Sequence, residues 1–201
     1  MGFLDALLGR TKPAEANLDH LFGLPGAQMT LEAAEGMRPT GEAAVCFKPA
    51  SAQSFAETEK ELVALLNLDE AGSDPNAAKA TLSSQEDDFG YRWIVVESSD
   101  FSSLVTRVHM VNSTLEEHGW GPQLLCSVFP FHPATPGAPG TAKVTYLVYL
   151  YKRGSFYPFV PTTGEHRDNE MELRLKAELA NDLTIEKDLD HWFPLWKLPL
   201  S

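Results

Sequence analysis

Two stretches of this chain are apolar on both faces of an extended backbone. In TAKVTYLVYLYKR, Val144, Tyr146, Val148 and Leu150 alternate with Leu147, Tyr149 and Tyr151. In QLLCSVFPF, Leu124, Cys126 and Val128 are opposed by Leu125 and Phe129. Side chains along a strand point alternately to opposite faces, so a sheet with one wet face shows apolar–polar alternation. These stretches therefore read as central strands covered on both sides. The second cover is expected from the chain's own helices, with another subunit, and hence a homodimer, as the alternative. Consecutive strands over residues 123–160 lack crossover helices, which favours an antiparallel arrangement. The expected fold class is α+β: a single domain, mainly an antiparallel sheet with helices packed on it.

The remaining elements follow from periodicity and punctuation. Residues 2–9 and 17–22 read as short helices, with Asn17 as the second one's N-cap and Pro25 just beyond its end. Pro13 to Ala16 reads as a flexible joint, so residues 1–16 form an N-terminal amphipathic segment and residues 17–201 the domain. Gln28–Ala33 and Ala43–Lys48 read as strands, separated by Gly36, Pro39 and Gly41. A helix is expected over residues 51–68, with Ser54 and Glu57 as its capping box, followed by a loop over 69–80. The clearest unit is β-α-β: strand Tyr91–Val96, a helix over 101–118 capped by Asp100 and stopped by Gly119, and strand Gln123–Phe131. After the Pro/Gly-rich loop 132–140, strand Ala142–Lys152 and strand Ser155–Val160 form a hairpin around Gly154. Helices over 167–181 and 186–193 close the chain.

Charge narrows the function classes. The net charge is −12, with nine acids against two bases in residues 57–90 and nine against four in residues 165–190. A general nucleic-acid binder concentrates Lys and Arg instead, so no nucleic-acid partner is expected. The acidic regions read as solvated faces. No run approaches the roughly 18 apolar residues of a membrane span. Cys46 and Cys126 sit in apolar runs and read as buried, reduced thiols. The N-terminus lacks a secretory pattern, and Ala6 stands where a myristoylation motif wants Ser or Thr. A cytoplasmic protein is expected, with a peripheral position at the inner face of the cell membrane as an option.

Catalytic and metal signatures are missing from the sequence. The six histidines form no H-x-H or H-E-x-x-H, and no C-x-x-C is present. His109 and His118 are nine residues apart on one helix, which places them on opposite sides at about 100° per residue. There is no G-x-S-x-G elbow, G-x-G-x-x-G loop or P-loop. No metal, no cofactor and no enzymatic activity are expected.

Contact elements are easier to find. The run YLVYLYKRGSFYPF sets Lys152 and Arg153 at a hairpin tip among Tyr149, Tyr151, Phe156 and Tyr157. Such a tip suits an anionic group or a partner segment. The C-terminal HWFPLWKLPL carries Trp192 and Trp196, and Pro194 argues against a continuous helix. This tail reads as a lid packed back on the sheet, with an exposed partner anchor as the alternative. At the other terminus, Phe3, Leu4, Leu7 and Leu8 fall on one helical arc, followed by Arg10 and Lys12. That stripe suits an anionic membrane surface, the chain's own core or a neighbouring subunit.

MGFLDALLGRTKP, LVTRVHMVNSTLEEHGWGPQLLCSVFPF, YLVYLYKRGSFYPF and RDNEMELRLKAELANDL with the closing WFPLW resemble the bacterial PspA-associated PspAB family over nearly the whole chain. The resemblance implies a PspA-like partner, a role in the phage-shock type of envelope stress response and no known reaction. At the level of pattern, the helix followed by hairpin strands is also similar to type III secretion chaperone-like and YbjN-like α+β domains, which implies peptide or protein binding. The resulting expectation is a non-catalytic accessory protein. The alternatives are a chaperone holding an unfolded client segment and an uncharacterised hydrolase. A deep pocket joining Cys46 or Cys126 to a histidine would favour the hydrolase.

Overall fold

The two doubly apolar stretches lie side by side inside one sheet. The computed structural model describes residues 16–48, 58–62, 64, 82–135 and 144–200. The sheet contains β1 (Met37–Pro39), β2 (Glu42–Phe47), β3 (Leu82–Glu86), β4 (Arg92–Glu97), β5 (Leu124–Pro133), β6 (Thr145–Leu150) and β7 (Ser155–Phe159). Its order is β3-β4-β2-β5-β6-β7, and β1 also pairs with β5. Every pairing is antiparallel. β5 and β6 are therefore interior strands, as their double apolar character requires. Two further short strands, β8 (Pro161–Thr162) and β9 (His166–Arg167), form a separate ribbon.

Strands β1 and β2 run along the same flank of β5, one after the other. Met37–Pro39 pair with Phe131–Pro133, and Ala44–Phe47 pair with Leu124–Val128. The expected β-α-β connection is present, but its strands are not neighbours. β2 sits between β4 and β5 and is antiparallel to both, so these two run parallel with a strand between them.

One face of the sheet carries the helices. Helix α1 (Leu24–Glu35) and helix α2 (Phe101–Glu117) pack there, preceded by a 3-10 turn over Leu18–Gly23. Leu24, Ala27 and Leu31 of α1 and Leu104, Val108, Val111 and Leu115 of α2 meet Val45, Ile94, Phe129, Leu147 and Phe156 of the sheet. Spacings of three, four and seven residues put each helical set on one stripe. Asp100 caps α2 by accepting from the Ser103 amide at 2.7 Å, and Gly119 follows the helix at φ +83°. Helix α3 (Asn169–Glu178) is capped by Asp168 and buries Met171 and Leu175.

Some local expectations give way to tertiary structure. Gln28–Ala33, read as a strand, is the interior of α1. Pro25 explains the difference. Proline ends a preceding helix but is equally suited to a first helical turn, where its missing N–H has no partner to lose. Pro25 stands in the first turn of α1, so one residue closes the 3-10 turn and opens the helix. Asn17 does not cap that turn through its side chain. Residues 58–62 are helical, within the expected 51–68 helix, while Ser54, Glu57 and loop 69–80 lie outside the described residues. The helix expected over 186–193 is reduced to a 3-10 turn at Leu189–His191.

Among the described residues, the opposite face is covered by no helix. Ala44, Cys46, Trp93, Val95, Cys126, Val128, Val148, Tyr157 and Phe159 cluster there with Trp192, and Leu195, Trp196, Leu198 and Leu200 pack against them. The C-terminal segment thus forms a strap across the sheet, and the second cover comes from the same chain. It is an irregular segment, as Pro194 and Pro199 dictate.

Candidate functional site: a groove beneath the C-terminal strap

Alternation along the strands sends Cys46, Trp93, Cys126, Leu150 and Tyr157 to the strap side. Between them and the strap lies a groove of about 720 Å³. Leu125 completes the floor, Asp87, Phe89 and Tyr91 of the β3–β4 turn region form one wall, and residues Phe193–Leu198 form the other. Lys152, Arg153 and Glu165 also line it. Trp196 meets the Phe159 ring edge-on at 5.1 Å between centroids.

Buried polar groups fix the root of the strap. Glu186 is 5% exposed and binds Arg153 through both carboxylate oxygens; it also accepts from Ser155 Oγ at 2.8 Å and the Asp188 amide at 3.0 Å. Burial pushes its carboxyl up, but these donors together outweigh burial and hold it at about 2. The Glu186 carbonyl accepts from Trp192 Nε1 at 3.2 Å. The Trp192 carbonyl accepts from Arg167 Nη1 at 2.6 Å, and Arg167 is itself held by the buried carboxylate of Glu172. Tyr157 Oη donates to the Phe193 carbonyl at 2.7 Å. Beyond that point, among the described residues, no backbone group of residues 194–200 pairs with another backbone group. The strap is riveted at its root and held by side-chain packing beyond it.

The proposed contact residues are distributed over both faces. Tyr149 and Phe156 are buried on the helical side, where Tyr149 Oη donates to the Asn17 carbonyl at 2.8 Å and burial raises the phenol to about 12. Tyr151 is also buried there. Tyr157 lines the groove, Lys152 is exposed at its edge, and Arg153 is committed to Glu186. Trp192 is buried at the root of the strap and Trp196 is half-buried along it. Phe3, Leu4, Leu7 and Leu8 lie outside the described residues. The groove itself was not apparent from sequence, because Trp93, Leu125 and the two cysteines converge only through strand register.

Cys46 and Cys126 stand directly opposite each other on β2 and β5 and both line the groove. A hydrogen bond between the thiols raises the pKa of Cys46, with burial adding to it, so Cys46 stays protonated and is a poor nucleophile. Among the described residues no histidine lines the groove, and no three His, Cys, Asp or Glu side chains gather as a metal site. Asp87 is occupied structurally, accepting at 2.9 Å from Trp93 Nε1 and from the Phe89 and Tyr91 amides. Among the described residues, no helix is long and apolar enough to cross a membrane.

A sheet with helices on one face and a strap-roofed apolar groove on the other defines an α+β protein organised around a recess. The chain belongs to the PspAB family, PspA associated protein B, whose family model matches residues 1–200. No curated protein and no solved structure matches it. Membership makes it a PspA-associated accessory protein.

Proposed function

We propose that this protein works without catalysis, by binding a PspA-like partner in the cytoplasm at the inner face of the cell membrane during envelope stress. The family supports the partner. The observation that carries a contact role is the groove rim, where Phe89 is 76% and Phe193 56% exposed while Lys152 is exposed beside the same recess. Exposed aromatics bordering an apolar depression, with a cation beside them, have the composition of a protein-binding surface. The Phe3, Leu4, Leu7 and Leu8 stripe supplies a second contact, with an anionic membrane surface.

Size-exclusion co-elution with the PspA protein of the same cell tests the first contact. Phe89→Asp combined with Lys152→Glu weakens the complex; unchanged co-elution removes the rim from the reading. Arg153 is left intact because reversing it would set two acids together at Glu186. For the membrane contact, deleting residues 1–10 abolishes co-sedimentation with phosphatidylglycerol-containing liposomes. Equal sedimentation of both chains, or none by either, refutes it. Light scattering of the same samples reports homodimer formation.

A client-holding role is favoured by one observation, the apolar trough open along a sheet face. Suppression of aggregation of an unrelated denatured protein, without PspA present, would distinguish it.

A further inference from the structure

We propose that the groove is a binding site for a single-chain anionic amphiphile, with the tail on Trp93, Leu125, Leu150 and Tyr157 and the acidic head at Lys152 and Lys197. At about 720 Å³ the recess has the size of a small-molecule site. Its floor is aromatic and aliphatic, with two thiols in place of polar groups. Such a surface holds water poorly and accepts a hydrocarbon chain.

The charges around it select the head group. The whole chain carries −12, yet the groove is lined by three cations against two acids. Asp87 is surrounded by three donors and Arg153 is paired with Glu186, which leaves Glu165 as the one exposed acid of the lining against Lys152 and Lys197. Lys152 and Lys197 are exposed and have no polar partner among the described residues. They are the cations free to meet an acid. Entry is provided for as well, since residues 194–200 form a wall without main-chain pairing and can shift when a tail slides beneath them.

The inference is independent of the PspA reading, because its test uses this chain alone. Full-length protein is loaded with a dansyl-labelled fatty acid and titrated, below micellar concentrations, with laurate, dodecyl phosphate and dodecyltrimethylammonium. Both anions displace the dye, and whichever does so at lower concentration identifies a carboxylate or a phosphate head. The cation is weaker by roughly tenfold or more, although the protein's net charge favours cations. Lys152→Glu with Lys197→Glu lowers affinity for the anions by a similar factor while the circular dichroism spectrum is unchanged, and Leu150→Trp blocks the tail. The proposal is overturned if no anion displaces the dye below micellar concentrations, if the cation binds equally well, or if the doubly reversed variant binds the anions normally.

Discussion

Arg153 closes on the carboxylate of Glu186 and ties the turn between β6 and β7 to the segment that feeds the strap. The pair brings together a residue that is exposed at a hairpin tip and one that is almost wholly buried. A carboxylate in that position must stay ionised to keep its donors. Its folded pKa of about 2 lies below the ordinary 4.5. The stabilisation is therefore complete above about pH 4.5 and lost as pH falls toward 2, amounting to something on the order of 3 kcal/mol by linkage. In Glu186→Gln, urea unfolding across this range shows a shallower acid dependence and lower stability at pH 7. An unchanged acid slope would mean the pair contributes little.

Asn112 is fully buried on α2 and donates to the Val108 carbonyl at 2.8 Å and to Ser127 Oγ on β5 at 3.0 Å. Asn112→Ala strands the equally buried Ser127 hydroxyl and costs about 1–3 kcal/mol. Asn112→Leu combined with Ser127→Ala removes both polar partners and recovers part of that loss. Denaturant midpoints of the single and double variants make the comparison.

Gly23 lets the start of α1 approach the turn after α3. A Cβ there would stand against the Asp182 carbonyl oxygen and the Leu183 side chain. The backbone oxygen cannot swing away as a flexible side chain would. Gly23 is also the N-cap of α1, where alanine is a poorer residue than glycine, so Gly23→Ala lowers stability by about 1–3 kcal/mol. A raised melting temperature would contradict this packing.

Cys46 and Cys126 are 3% and 7% exposed beneath the strap. Truncation after Pro194 removes Leu195, Trp196 and Leu198 from above them. Maleimide labelling then accelerates several-fold, with Cys126 reacting first. Equal labelling of intact and truncated protein would show that the strap does not protect the thiols.

The sequence carried the sheet's interior more clearly than its groove. Val148 and Tyr149 declared opposite buried faces, which is enough to make β6 internal. Asp100 and Gly119 marked the ends of α2 through local chemistry. Pro25 was ambiguous because the same side chain is compatible with a helix end and a helix start. β3 escaped notice because Ser83, Ser84 and Gln85 give no apolar alternation; only pairing with β4 makes them a strand. The groove depended on longer-range facts. That Cys46 faces Cys126, and that Trp93 joins them, is a matter of register between strands distant in sequence. The Trp192 tail read correctly as a lid, since an aromatic, proline-broken end has no regular structure of its own in which to bury its rings.

Trp192 is fastened at its indole, its carbonyl and the face of its ring, which stacks on Tyr157 at 5.9 Å. Phe193 is still tied, its carbonyl accepting from Tyr157 Oη, but among the described residues no backbone group of residues 194–200 pairs with another backbone group. Peeling of residues 194–200 should therefore halt at Trp192 and Phe193, giving the molecule a built-in tear line.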